Sequence, residues 1–215
     1  MTDVKPPDDE DGGTEDAGLE EVGTRSDLLR RATFAGGAAA AGGLLVAALP
    51  KVAASAPSRA QDIRILNYLL RLEYVMAAFY KTAAEGQLSG EIQQFVSVVG
   101  EQERKHVALL QQILGDDASA EPSIDFGERT TSPEQVAATA RLLEETASAA
   151  YIGQGANLTR RVMIDAARIT SVEARHAAWI ADILQKHPAP VAADPSKSPK
   201  QVFAALRKAG VSISG

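Results

Sequence analysis

Four stretches of this sequence have apolar residues at helical spacing, and each sets an acidic side chain in the middle of its apolar stripe, where a carboxylate is cut off from water. On the first, Glu73 follows Leu66, Leu69 and Leu70 and precedes Met76, Ala77 and Tyr80. On the second, Glu103 and His106 stand in line with Val96, Val99, Val107 and Leu110. On the third, Glu144 lies among Ala140, Leu143, Ala147 and Tyr151, and on the fourth Glu173 and His176 lie between Ile169 and Ile180. One such glutamate is usually a solvated surface residue. Six groups of this kind on four stripes restrict the fold severely, because each must find a partner inside.

Their heights match. The first break is centred near Leu88, with Glu73 15 residues before it and Glu103 15 after it. At about 1.5 Å per residue both lie roughly 22 Å from that turn. The second break is centred near Leu158, with Glu144 14 residues before and Glu173 15 after. Each half of the chain thus brings a lone glutamate opposite a Glu-x-x-His pair at the same level. The same arrangement occurs twice.

Three residues along a helix is close to one turn, so the glutamate and histidine of each pair project from one face and can reach the same ion. Hard oxygen donors with one imidazole per metal suit Fe(II) or Mn(II), whereas zinc selects sites richer in histidine or cysteine. Four carboxylates also balance two divalent ions. Left without metal, they carry a desolvation cost of about several kcal/mol each, and some must take up protons.

The helices can be placed from their breaks. The first runs over 60–85 and ends at Gly86–Gly90; the second runs over 91–114 and stops at Gly115 before Asp116-Asp117. Polar residues 116–131 form a longer connection, and Ser132-Pro133-Glu134 is a helix start, with Ser132 as cap. The third helix reaches about Ile152, Gly153, Gly155 and Asn157 turn the chain, and the fourth runs from about Leu158 to His187, where Pro188 forbids continuation. A Pro-rich linker over 188–198 leads to a short terminal helix, and strand signals are essentially missing. The expected fold is all-α: two helical hairpins joined by a longer crossover into an antiparallel four-helix bundle, plus a short C-terminal helix.

Glu73, Glu103-x-x-His106, Glu144 and Glu173-x-x-His176 resemble the six metal ligands of the ferritin-like di-iron carboxylate superfamily. More narrowly, Leu66-Asn67-Tyr68, Leu72-Glu73-Tyr74, Phe79-Tyr80 and Val172-Glu173-Ala174-Arg175-His176-Ala177 resemble bacterial and plant ferritin-like proteins related to desiccation proteins. The resemblance covers about residues 59–187. It implies two metal ions, iron with manganese as the alternative, and Fe(II) oxidation by dioxygen or peroxide in an iron-handling or oxidative-stress role. Glu73, Glu103 and His106 would hold one ion and Glu144, Glu173 and His176 the other, with one or more carboxylates bridging. A non-catalytic desiccation-protective bundle with a structural metal, and a manganese enzyme that disproportionates peroxide, fit the same residues.

Outside this domain the chain changes character. Residues 1–24 hold nine acidic side chains against Lys5, a charge of -8 that exceeds the net charge of -6, and the body at +2 is near neutral. That acidic stretch has too few apolar residues to order and is expected to be disordered. Residues 25–56 read as an export segment: Arg30-Arg31-Ala32-Thr33-Phe34 and the weakly apolar run after it resemble a twin-arginine signal, with cleavage expected after Ala54. The protein would then be periplasmic, in the cell envelope or extracellular. An uncleaved membrane anchor is the alternative, although about 18 residues with four glycines is marginal for spanning. Residues 57–187 form the metal-binding domain, and 188–215 the linker and last helix. The absence of cysteine excludes disulfides, thiolate-bound zinc and thiol catalysis. No basic stripe supports a nucleic-acid surface, and self-association is left open. His187 is expected at a helix end or on the surface, Glu145 in solvent, and Trp179 in packing. Among Tyr68, Tyr74, Tyr80 and Tyr151, spacing favours Tyr151 as a hydrogen-bond partner of the centre.

Overall fold

The computed structural model describes residues 56–214; the acidic 1–24 stretch and, but for Ala56, the 25–56 export segment lie outside the described residues. Helix α1 spans Arg59–Ala84, capped by Ser58, whose hydroxyl accepts from the Gln61 amide at 3.3 Å. Helix α2, Gly90–Leu114, ends at Gly115, which turns the chain at φ 59. Helix α3, Pro133–Gly155, begins as its sequence predicts: Ser132 Oγ accepts from the Gln135 amide at 3.3 Å and Pro133 takes the first helical position. Helix α4 covers Arg160–Ile183 and α5 covers Pro199–Lys208. Among the described residues no helix is long and apolar enough to cross a membrane.

The helices form two hairpins, α1 with α2 and α3 with α4, which meet along α1–α3 and α2–α4. Cross-helix contacts fix the directions. Tyr80 reaches Glu144 while Tyr151 reaches Glu73, so α1 and α3 are antiparallel. His106 reaches Glu173 while His176 reaches Glu103, so α2 and α4 are antiparallel too. It follows that α2 and α3 point the same way, and the connection between them must travel the length of the bundle. Residues 115–132 do so along α1. The Ser119 amide donates to Asn67 Oδ1 at 2.7 Å, Tyr74 donates to the Ser119 carbonyl at 3.2 Å, and Phe126 packs edge-on against Phe79 at 5.5 Å.

Three features differ from the sequence expectation. The crossover contains a short strand β1, Ser123–Asp125, which pairs antiparallel with a C-terminal strand β2, Ser212–Ser214, with Ile124 opposite Ile213. Three-residue strands carry too little alternation to be read in advance. Helix α4 stops at Ile183, short of His187, because Gln185 adopts φ 54 and turns the chain ahead of Pro188. His187 is exposed, its Nδ1 accepting from the Ala189 amide at 3.1 Å, and so lies beyond the helix end. Helix α3, in turn, runs through Gly153 to Gly155.

Gly153 is there for space. The Lys197 amide donates to the Ala149 carbonyl at 2.9 Å, laying the 188–198 linker across α3, and a Cβ on Gly153 would stand 2.2 Å from the Lys197 carbonyl oxygen. Alanine is the better helix former by about 1 kcal/mol. Gly153→Ala is nevertheless expected to lower the unfolding free energy by about 1–3 kcal/mol through overpacking against backbone. Urea denaturation checks this; a gain in stability would mean that the linker is not seated there.

Candidate metal centre

Midway along the bundle each of the four long helices turns an acidic side chain inward. Glu73, Glu103, Glu144 and Glu173 are all 0% exposed, and His106 and His176 are 7% and 4% exposed. The six residues singled out by spacing therefore meet at one level, Glu73 from α1, Glu103 and His106 from α2, Glu144 from α3, and Glu173 and His176 from α4. Close approach of α1 and α2 just beyond this level rests on Gly100, where a Cβ would come within 2.9 Å of Tyr80 Cβ.

The contacts assign each oxygen a direction. His106 Nδ1 lies 3.5 Å from Glu73 Oε2, 3.3 Å from Glu103 Oε2 and 2.9 Å from Glu173 Oε1. His176 Nδ1 lies 3.2 Å from Glu103 Oε1, 3.2 Å from Glu144 Oε2 and 4.0 Å from Glu173 Oε2. Glu103 and Glu173 thus turn one oxygen toward each histidine, while Glu73 serves only the His106 side and Glu144 only the His176 side. Two groups result, Glu73, Glu103, His106 and Glu173, and Glu103, Glu144, Glu173 and His176, the donor atoms of each lying within 4.8 Å of one another. One or more shared carboxylates are expected from the sequence; in the structure Glu103 and Glu173 stand in both groups.

Tyrosines complete the outer oxygens. Tyr80 donates to Glu144 Oε1 and Tyr151 donates to Glu73 Oε1. Each hairpin's lone-glutamate helix carries its tyrosine seven residues further on, so the two pairs cross between α1 and α3. Burial and the neighbouring carboxylates, Glu144 foremost for Tyr80 and Glu73 for Tyr151, push both phenols well above their usual range, and they remain donors. Tyr151 is the partner the spacing favours; Tyr80 is its counterpart from the other half. Tyr74 instead binds the crossover, and Tyr68 packs edge-on against Phe203 at 5.8 Å.

What remains unpaired tests the fit to a cation. Among the described residues, eight buried side-chain atoms of this cluster have no hydrogen-bond partner: both oxygens of Glu103 and of Glu173, Oε2 of Glu73 and of Glu144, and Nδ1 of His106 and of His176. Leaving a buried polar atom unsatisfied costs about 1–3 kcal/mol. All eight converge on two points, each offered three carboxylate oxygens and one imidazole nitrogen, which is the donor set of a hard or borderline divalent ion.

A family model for the ferritin-like domain matches residues 61–186, a span that takes in all six residues and most of α1 to α4. The chain belongs to the ferritin-like domain family. Comparison with curated proteins finds no match.

Spacing does not reveal one further residue of this ferritin-like domain. Gln102, half-buried on α2, sets Oε1 2.8 Å from His176 Nε2. A glutamine beside a buried glutamate reads as an ordinary boundary residue, and only the packing of α2 on α4 shows its target. Glu145 is exposed and pairs with Arg141 at 2.7 Å, and Trp179 packs on Phe95 at 5.1 Å, both as expected.

Burial, reinforced by the other carboxylates, raises Glu103 and Glu173 well above the carboxylate range, even against the neighbouring His106 imidazole. Burial by itself would lower His106, but the close carboxylates of Glu103, Glu173 and Glu73 outweigh it and hold the imidazole well above its usual range. Groups whose folded pKa exceeds the unfolded value bind more protons when folded, so their stabilisation is full at low pH and fades as pH rises through the folded value. The metal-free protein is therefore expected to lose melting temperature as the pH rises above the ordinary carboxylate range, from about pH 5 upward, with divalent cation flattening the slope. A metal-free melting temperature that climbs over that range would contradict the proton-sharing arrangement.

Proposed function

We propose that this ferritin-like protein holds two iron ions and promotes oxidation of Fe(II) by dioxygen or peroxide. The observation that carries the reading is the set of eight unpartnered buried atoms arranged as two equivalent donor groups with two carboxylates common to both. Glu73 and His106 would serve one ion, Glu144 and His176 the other, and Glu103 and Glu173 both. Four carboxylates neutralise two divalent ions, which removes the cost of burying the charge. Iron in such a site supplies one electron per ion, so a neighbouring pair can together deliver two electrons to one oxidant molecule.

The chain's own residues set the conditions for that chemistry. Tyr80 and Tyr151 each hold one oxygen of a terminal carboxylate and leave the other free, so Glu144 and Glu73 present a single oxygen inward. Glu103 and Glu173, common to both donor groups, would hold two ions near enough to act together. Leu69, Leu70, Leu72 and Met76, all 0% exposed, exclude bulk water from the α1 side of the centre.

Protein purified without chelators is expected to carry two iron ions per chain by elemental analysis and to consume oxygen when given ferrous salt. Glu103→Ala, which removes a donor common to both groups, should drop the metal content below two and abolish the oxidation. Iron content of zero in the wild type, or an oxygen uptake rate equal to that of ferrous salt alone, rejects the reading. Metal that raises the melting temperature without changing that rate would identify a structural ion instead.

The paired Arg30-Arg31 segment supports export of the already folded chain, with signal cleavage after Ala54. The N-terminus of the native protein should then be Ser55, which intact-mass measurement checks; retention of the first 54 residues in the membrane fraction would favour an anchor.

A further inference from the structure

The two halves of the centre match position for position, with lone glutamate, tyrosine seven residues on, and Glu-x-x-His, yet they differ at one neighbouring place. The residue preceding the first Glu-x-x-His is Gln102, and the residue preceding the second is Val172. Gln102 Oε1 lies 2.8 Å from His176 Nε2. An amide oxygen can only accept, so His176 keeps its proton on Nε2 and presents the Nδ1 lone pair toward Glu103 and Glu144. His106 has no counterpart to this bond. Among the described residues nothing accepts from its Nε2. Its Nδ1 is buried in the cluster, while the ring forms part of the wall of a surface groove of about 730 Å³ that is also lined by Leu109, Met163, Ile164 and Val172. Where the glutamine would stand by symmetry, Val172 offers only methyl groups.

We propose that Gln102 is a positioning residue that makes the two halves unequal: the His176 half takes the first ion and the His106 half takes the second. This rests on the two-ion reading above. Three consequences of the geometry support it. Fixing the tautomer and tilt of His176 removes the cost of arranging that ligand, and hydrogen bonds of this kind are typically worth about 10–100-fold in metal affinity. The His106 ring, held only from the cluster side, must be oriented when the ion arrives. Among the described residues the groove also leaves the outer side of the His106 ring without a polar partner, whereas the bond to Gln102 backs the ring on the His176 side.

The test uses Co(II) as the probe, added at one equivalent to the metal-free protein, with anomalous diffraction reading the occupancy of each half. The wild type is expected to show cobalt beside His176 in excess of that beside His106 by about tenfold or more. Gln102→Val, which copies the residue of the other half, should bring the two occupancies to within about threefold, and Gln102→Glu, which keeps an acceptor, should restore the excess. Val172→Gln should also narrow the difference by strengthening the His106 half, and it serves if Gln102→Val fails to fold. Equal occupancy in the wild type, an excess beside His106, or an excess unchanged in both Gln102→Val and Val172→Gln overturns the inference while leaving two ions in place. Cobalt density at neither half overturns the inference and the two-ion reading together.

Discussion

Burying four carboxylates at one height is the constraint to which the rest of this molecule answers. An isolated carboxylate in an apolar core costs about several kcal/mol, so each must be neutralised, protonated or hydrogen-bonded on the spot. Two tyrosines take the outer oxygen of Glu144 and of Glu73, and the inner oxygens and two imidazole nitrogens left without a partner form two donor groups that could hold metal. Those partners come from all four helices, so the helices must be long enough, and in the right register, to bring their midpoints together.

Antiparallel register between every pair of neighbours imposes a long return path between the hairpins, and the chain turns this need to use. The crossover lies along α1, tied through Asn67 and Tyr74 and anchored by Phe126 on Phe79, while its short strand receives the C-terminal strand. Helix α5 adds Val202 and Leu206 to the core, both 0% exposed. Another long-range tie joins the two hairpins: Asp62 on α1 accepts from the Thr159 amide at 2.9 Å and from its hydroxyl at 2.6 Å, satisfying the start of α4. Two halves with matching chemistry are thereby fastened by contacts that do not match.

Much of this was legible in the sequence because it is periodic. Apolar residues at helical spacing mark the four helices, and counting outward from Leu88 and Leu158 aligns Glu73 with Glu103 and Glu144 with Glu173. What escaped depends on where separate elements touch. Gln102 is an unremarkable polar residue until α4 brings His176 to it, and nothing local distinguishes Tyr80 from a core tyrosine until α3 brings Glu144. That a carboxylate is shared was expected, but which ones, Glu103 and Glu173, depends on oxygen directions across the bundle. The glycines at 153 and 155 read as a turn because local propensity says so; the linker backbone at Lys197 overrides it.

The crossed pairs Tyr80 to Glu144 and Tyr151 to Glu73 have a mechanical consequence. Neither hairpin contains a complete set of donors, so an occupied centre would act as a clasp between two halves in a chain that has no cysteine to make a covalent one. Prising the hairpins apart would sever both phenol contacts and strip both donor groups at once, whereas a swing of the single His106 ring disturbs one group alone. The two donor groups therefore differ mechanically: the shared carboxylates tie both to the hairpin seam, while each histidine belongs to one group alone.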